Sequence, residues 1–226
     1  MTNSLRLSAR LSGLLYVIFA SVTGLAQSPT AAQAKSALPK LLPRQQEIEM
    51  ALSAAPEQLR AAATVYVLER GGYVKARAGT NGFTCLVHRD DGGTGPICYD
   101  AEGTQTTLLA DLRRAALLEE GKDPQTVERL IEAEYRAGKL SAPRRPGIAY
   151  MLSTEFKQHD HQTGELKQVF PPHVMFYAPY LKNSDIGALP NQRGSQTQPW
   201  ILNEGKPNAY VIVVLKEKAL VPKTNP

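Results

Sequence analysis

Apolar and polar residues alternate in the first half of the chain in a pattern that predicts a strand meander. Residues 64–68 and 73–77 are rich in β-branched and aromatic side chains, which favour strands. Gly71-Gly72 between them can supply the two positive φ values of a tight hairpin turn. A third strand is predicted over residues 83–87, and residues 97–99 form a short fourth candidate.

Apolar residues at helical spacing predict a first helix over residues 43–60 and a helical region over 106–138. Gly121 divides the second region in two. Asp123 is placed to cap the following helix and Pro124 to begin it. Because the turn between these two helices is short, they are expected to form an antiparallel helical hairpin.

The second half of the chain contains further runs of strand length, at residues 148–152, 173–177, 200–202 and 209–215. Strands and helices are grouped along the chain and do not alternate singly, which favours an α+β fold over a doubly wound parallel one. We therefore expect a mainly antiparallel twisted sheet of about six strands. An N-terminal helix and a central helical hairpin should pack on one face of it.

The N-terminus has the layout of a secretory signal peptide. Arg6 and Arg10 precede the apolar run 11–20, and the small residues Gly24 and Ala26 precede the expected cleavage site. The apolar run is shorter than the roughly 20 residues that span a bilayer, although an uncleaved anchor is the alternative. We expect a bacterial protein of the periplasm or the exterior, with no membrane span after removal of the signal.

Four segments follow from this organisation: a signal peptide (1–26), a disordered leader (27–42), a single α+β domain (43–217) and a flexible tail (218–226). Cleavage lowers the formal charge from +5 to +3, because the signal contains two arginines and no acid. Lysine and arginine are spread evenly and form no basic stripe, so we expect no nucleic-acid partner.

Cys85 and Cys98 are the only cysteines, and an even number in an exported protein predicts a disulfide. They flank a turn-rich loop at residues 88–96, so the bond would join two strands. One alternative is a nucleophilic Cys85 with His88 as its base, although residues three apart on a strand point to opposite faces. Another is a metal site of both cysteines and His88, but this spacing matches no common zinc pattern.

Three stretches carry a resemblance: residues 79–87, 146–153 and 171–180, with the sequences GTNGFTCLV, PGIAYMLS and PPHVMFYAPY. They resemble uncharacterised secreted bacterial proteins that have no assigned activity. The resemblance covers most of the chain after the signal peptide. It implies export, and it implies no role for any single residue.

The proline-bounded segment 170–180 is the first candidate site. His173 and Tyr177 share one face of its predicted strand, and Tyr180 follows. Tyr150 and Trp200 would flank this face if their strands are neighbours. An aromatic cleft with an imidazole and a phenol suits a small ligand, so these residues are the predicted ligand-binding set. The alternative is a core strand with a hydrogen-bonded histidine.

The second candidate is His159-Asp160-His161, whose two imidazoles would share a face of an extended chain. A metal ion would need a third ligand, which His173, Glu155, Asp160 or Glu165 could supply. The polar surroundings favour a solvated hairpin tip, so we expect no metal site and no cofactor. The acidic, glycine-rich residues 88–95 lack the ligand spacing of an EF-hand. Nucleophile elbows, phosphate loops and dinucleotide fingerprints are absent from the sequence.

These observations leave three hypotheses. The first is a ligand-binding or accessory module that holds a small molecule or an envelope protein against the His173/Tyr177 face. The second is a hydrolase or lyase with His173 as general base and Tyr177 or Asp185 nearby. The third is a structural, envelope-associated protein without a small-molecule site. A pocket lined by His173 would favour the first two, and a flat surface the third.

Overall fold

The computed structural model describes residues 41–89, 93–159, 166–168, 170–189, 192 and 194–215, and every structural statement below concerns these residues. The predicted signal peptide (1–26), nearly all of the predicted leader and the predicted tail (218–226) lie outside them. None of the described helices is long and apolar enough to cross a membrane.

Five α-helices and one 3₁₀ helix form in the described chain. They are α1 (Arg44–Ser53), α2 (Glu57–Arg60), α3 (Ala101–Gln105), α4 (Thr107–Glu119), α5 (Pro124–Arg136) and the 3₁₀ helix Asn183–Ile186. The α5 helix begins where the sequence predicts, since the Asp123 carboxylate accepts a hydrogen bond from the N–H of Thr126. The α4 and α5 helices pack on each other through a small cluster of Ala110, Leu117, Val127, Ile131 and Leu140.

The strands form one mixed sheet, so the α+β class is confirmed. They are β1 (Thr64–Glu69), β2 (Gly72–Arg77), β3 (Thr84–Arg89), β4 (Gly93–Tyr99), β5 (Ile148–Met151), β6 (Lys157–His159), β7 (Leu166–Gln168), β8 (His173–Tyr177), β9 (Trp200–Leu202) and β10 (Tyr210–Val214). Eight strands lie in the order β2-β1-β3-β4-β5-β8-β10-β9, and the β6–β7 hairpin attaches to β4. All pairs are antiparallel except β1–β3, which is parallel.

The sheet is larger than the predicted six strands. All eight runs of strand length that the sequence contains join the one sheet. In addition, β4 is longer than predicted, because the turn-rich residues Gly93 to Pro96 belong to it and pair with β3, for example Val87 with Pro96. The glycines and the proline there predict a loop, but pairing with the apolar β3 overrides that local preference. The long loop predicted over 88–96 is therefore mostly strand.

The two faces of the sheet are covered by different helices. Residues 85 and 86 are consecutive on β3, so their side chains point to opposite faces. Cys85 lies in a core with Ala51 of α1, whereas Leu86 lies in a core with Leu108 of α4. The prediction that all helices pack on one face is thus not confirmed. The central strands are buried at nearly every position and need cover on both faces.

The disulfide prediction is confirmed. Cys85 and Cys98 face each other in the β3–β4 ladder and are bonded, and neither is exposed. The bond lies in the core beneath α1. Because both thiols are consumed, the nucleophilic and metal-binding alternatives for Cys85 are excluded in this state.

Candidate functional site

A cavity of about 650 Å³ lies on the face of the sheet that is covered by α4. Side chains from β3, β4, β5, β8, β9 and β10 form its floor, and residues of α4 and α5 form part of its wall. Small-molecule sites in proteins are usually concave, mostly apolar and of about 300–1,000 Å³. The cavity has the size and position of such a site.

One end of the cavity is aromatic. The ring of Phe170 stands nearly perpendicular to the imidazole of His173, with centroids 4.8 Å apart, and nearly perpendicular to the indole of Trp200 at 6.1 Å. Phe156 meets the same imidazole edge-on at 6.2 Å. Edge-to-face contacts hold rings in fixed orientations, so these side chains form an ordered wall.

A hydrogen bond sets the tautomer of His173, and burial sets the direction in which its pKa is shifted. Its Nδ1 lies 2.9 Å from the carbonyl oxygen of Pro171, which can only accept, so Nδ1 carries the proton and Nε2 is an acceptor. The side chain is only 4% exposed, and burial lowers the pKa of the imidazole below its usual value. His173 is therefore a neutral group beside the cavity.

Trp200 is the only tryptophan of the chain and lines the same end. It is 7% exposed, and its Nε1 is buried with no hydrogen-bond partner among the described residues. Leaving a buried donor unpaired costs about 1–3 kcal/mol. The indole N–H is enclosed by the protein, so other atoms of the Trp200 ring line the cavity.

The other end of the cavity is polar and centres on Asp111 of α4. Its carboxylate accepts hydrogen bonds from the hydroxyl of Tyr99 and, at 3.0 Å, from the guanidinium of Arg114. Nε2 of His88 lies 3.8 Å from the same carboxylate. Arg114 also donates to Glu128 of α5 at 3.0 Å. The charged groups at this end are thus engaged with one another.

Two phenols complete the floor between the two ends. Tyr99 is 1% and Tyr210 6% exposed, and burial raises the pKa of both well above the usual value. The nearby Asp111 carboxylate raises both pKa values further, because it disfavours a second negative charge. Both phenols stay neutral across the physiological range.

The structure brings two of the five predicted ligand-binding residues, His173 and Trp200, to the cavity. Tyr177 lies in the same core, but its hydroxyl donates to Asp100 at 3.0 Å and lies over Gly103, where a Cβ would meet it at 1.9 Å. Tyr177 therefore holds β8 to the start of α3 and does not line the cavity.

The other two predicted residues lie elsewhere. Tyr150 packs against the core beneath α1 and contacts Phe83, with ring centroids 6.1 Å apart. The β5–β8 register pairs Tyr150 with Val174, so it shares the face of Val174 and not that of its neighbour His173. Tyr180 follows β8 in a turn with φ 65° and is 61% exposed. Neither can touch a molecule in the cavity.

Sequence reasoning missed several residues that line the cavity: Tyr99, Asp111, Arg114, Phe156, Phe170 and Tyr210. Tyr99 could have been found, because it follows Ile97 by two positions and so shares a strand face with it. Asp111 gives no such signal, since an acid on an exposed-looking helix is common. Its position follows only from the packing of α4 over the sheet.

Among the described residues, no three histidine, cysteine, aspartate or glutamate side chains converge to hold a metal ion. Asp160 and His161 of the alternative site predicted at His159-Asp160-His161 lie outside the described residues. The same holds for residues 90–92 of the acidic segment 88–95.

Comparison with known proteins gives no relative: no family model, no curated protein and no solved structure matches this chain.

Proposed function

We propose that this protein is a small-molecule binding module that takes its ligand into the cavity between the sheet and α4. The observation that carries the proposal is the aromatic end of the 650 Å³ cavity, where Phe170 meets the rings of His173 and Trp200 edge to face. A concave site of this size that is lined by aromatic side chains in fixed orientations suits a small molecule.

We further propose that the protein works after export, in the periplasm or outside the cell. The signal-like N-terminus and the disulfide support this, because such bonds persist mainly in oxidising compartments. Intact-mass analysis of the protein purified after bacterial expression of the full chain should show loss of residues 1–26. A retained N-terminus would contradict cleavage and favour the anchor.

An enzyme that uses His173 as a base is the second candidate, and the acceptor state of its Nε2 favours it. The two residues that were expected near this base give the enzyme hypothesis less support. Tyr177 is bound to Asp100, and Asp185 accepts from the backbone N–H of Lys182 at 2.8 Å in the 3₁₀ helix. Among the described residues, the only hydrogen-bond partner of His173 is the carbonyl of Pro171. The hypothesis of a protein without any site has the least support, since the surface has a cavity.

The binding proposal can be tested with N-phenyl-1-naphthylamine, an uncharged probe that becomes fluorescent in apolar surroundings. We expect saturable binding to the protein purified after expression of the full chain. Leu202→Trp should weaken it at least fivefold, because Leu202 is a partly buried residue that lines the cavity at its edge strand. Met175→Trp, at a buried position of the floor, should do the same.

Phe176→Trp is the matched control. Phe176 neighbours Met175 on β8, points to the opposite face and is 43% exposed, so its replacement should leave probe binding unchanged. Thermal unfolding of each variant establishes that it is folded. Equal affinity in the folded Leu202→Trp variant and the control would overturn the proposal, as would the absence of saturable binding to the unmodified protein.

A further inference from the structure

We propose that the aromatic end of the cavity binds a soft monovalent metal ion, Cu(I) or Ag(I), through Nε2 of His173 and the thioether sulfurs of Met151 and Met175. This inference goes beyond the proposed function, because it concerns an ion and requires no organic ligand. Three observations carry it. Strand register gathers the three side chains, a hydrogen bond leaves one nitrogen of His173 accessible, and the ligand set is soft and uncharged.

Strand register brings the three side chains together on one face of the sheet. Met151 of β5 lies directly opposite His173 of β8 in the antiparallel ladder, and the Cβ atoms of such pairs are about 4.5–5.5 Å apart. Met175 follows His173 by two residues, so it points to the same face about 7 Å further along the strand. All three side chains line the cavity. Because methionine has three rotatable bonds, thioethers that start from these positions can reach an ion held at the imidazole.

The imidazole of His173 is arranged like that of a metal ligand. Its Nδ1 donates to the carbonyl oxygen of Pro171 at 2.9 Å, which leaves the lone pair of Nε2 available. Metal-binding histidines almost always make such a hydrogen bond through their other nitrogen, because it fixes the tautomer and the ring orientation. Nε2 has no hydrogen-bond partner among the described residues, yet the enclosed atoms of that kind belong only to Tyr135 and Trp200. Nε2 of His173 is therefore accessible from the cavity that its side chain lines.

Aromatic rings border the three ligands. The terminal methyl group of Met151 and the ring of Phe156 both lie beside Gly95, where a Cβ would be 3.1 and 2.1 Å from them. Phe156 also meets the imidazole of His173 edge-on at 6.2 Å, and Phe170 meets it at 4.8 Å. Aromatic rings exclude water, and their faces attract cations. This end of the cavity therefore suits an ion of low charge that gives up its water readily.

The chemistry of the ligand set selects the ion. Thioether sulfur is a soft ligand that suits Cu(I), whereas Zn²⁺ is bound by thiolate, imidazole or carboxylate and would find one such group here. The carboxylate of Asp111 lies at the polar end of the cavity and is engaged by Tyr99 and Arg114. Cys85 and Cys98 are bonded to each other, so neither offers a thiol that would compete for the ion.

The experiment uses untagged protein that is purified after expression of the full chain and labelled with ¹³C at the methionine methyl groups. It is titrated with silver nitrate in a chloride-free buffer at pH 7.5, because Ag(I) shares the ligand preferences of Cu(I) and is stable in air. We expect one equivalent of Ag(I) to bind and to shift the methyl signals of Met151 and Met175. The signal of Met50 should not move, because this residue packs against the core beneath α1.

Substitutions separate the ligands from their surroundings. Met151→Leu and Met175→Leu nearly conserve the side-chain volume and remove the sulfur. Each should weaken Ag(I) binding at least tenfold in isothermal titration calorimetry, and so should His173→Gln, which removes the ring nitrogen. Met50→Leu is the matched control and should leave the affinity unchanged. Thermal unfolding establishes that each variant is folded.

The metal itself supplies a second control, since Zn²⁺ should bind at least a hundredfold more weakly than Ag(I). The inference is wrong if Ag(I) shifts neither of the two methyl signals, or if the folded Met151→Leu and Met175→Leu variants keep the full affinity. Equally tight binding of Zn²⁺ would also overturn it.

The fluorescent probe distinguishes this inference from the proposed function. Saturable binding of N-phenyl-1-naphthylamine without binding of Ag(I) would refute the metal site and leave the proposed function intact. Binding of Ag(I) at Met151 and Met175 without saturable binding of the probe would support the metal site and refute the small-molecule proposal.

Discussion

The two faces of the sheet are built from neighbouring residues of the same strands, yet they differ in how completely they are closed. Beneath α1, the carboxylate of Glu47 is fully buried and receives two hydrogen bonds from the Arg89 guanidinium, at 2.7 and 2.8 Å. It also accepts from the backbone N–H of Leu68 at 2.9 Å. The disulfide lies in the same core.

Beneath α4 the packing leaves a cavity. Only two described side chains have a buried polar atom without a partner, Tyr135 and Trp200, and neither belongs to the α1-covered core. The two faces therefore differ in how completely their polar groups are satisfied. The α1-covered face stabilises the sheet through satisfied polar groups and a covalent bond, and the α4-covered face contains the cavity that we propose as the binding site.

Among the tests of this comparison, Arg89→Met is expected to cause the largest loss of stability. This substitution keeps the bulk of the side chain but leaves the Glu47 carboxylate buried without its cation. We expect the free energy of unfolding to fall by about 3–5 kcal/mol in chemical denaturation. Arg44→Met is the control, because the Arg44–Glu69 pair is about half exposed and should contribute less than about 1 kcal/mol. A similar loss of unfolding free energy in both variants would show that the buried pair stabilises the fold no more than the exposed pair does.

The next largest loss of stability is expected from the double substitution Cys85→Ala and Cys98→Ala, which removes the disulfide. The bond closes a loop with a sequence separation of 13, so its loss should cost about 3 kcal/mol of unfolding free energy. Because the sulfurs lie on the face opposite the cavity, the folded variant should still bind N-phenyl-1-naphthylamine. Loss of binding in a folded variant would show that the two faces are coupled.

Local sequence signals predicted the elements well where neighbouring residues determine the structure. Asp123 and Pro124 placed the start of α5, and Gly71-Gly72 have the predicted positive φ values of 94° and 117°. The even cysteine count predicted the disulfide. The strand at residues 93–96 is not predicted, because glycines and a proline favour a turn, whereas backbone pairing with the preceding β3, as between Arg89 and Thr94, holds the segment extended.

The candidate site was harder to predict, because strand register decides which residues meet. Alternation selected His173 correctly for one face of β8, but Tyr150 was assigned to the same face. The observed register places Tyr150 opposite Val174. A shift of one residue reverses the face of every side chain on a strand, and no local signal sets the β5–β8 register. The position of Asp111 depends on how α4 packs over the sheet, so the sequence does not predict it either.

A smaller effect is expected at Gly95 of β4, which supports one wall of the cavity. A Cβ at this position would lie 2.1 Å from the ring of Phe156, so Gly95→Ala must displace that ring. We expect a loss of about 1–3 kcal/mol in unfolding free energy, as for other overpacked sites, and weaker binding of N-phenyl-1-naphthylamine.

Thr94→Ala is the control for Gly95, since residues 94 and 95 are adjacent on β4 and point to opposite faces. It should leave probe affinity unchanged. Unaltered affinity in a folded Gly95→Ala variant would show that Phe156 does not shape the cavity.

The smallest effect concerns pH. Burial lowers the pKa of His173 in the folded protein below its ordinary value of 6.5. Below pH 6.5 the unfolded chain therefore binds a proton at this residue that the folded protein does not bind. Stability should fall as the pH decreases from 6.5, by at most about 1.4 kcal/mol per pH unit, and should not depend on this group above it.

His173→Gln isolates this effect, because glutamine has no proton to gain and its amide can still donate to Pro171. Unfolding free energies at pH 7.5 and 5.5 should differ less in the variant than in the unmodified protein. The fold lowers the pKa values of Glu102, Asp123 and Glu204 from ordinary values of 4.5, 3.8 and 4.5, which moves them further from this pH window. An identical pH dependence in both proteins would mean that His173 is not held neutral. The aromatic end of the cavity would then contain a titrating cation, and the distinction between this neutral end and the charged pair beneath α1 would have to be given up.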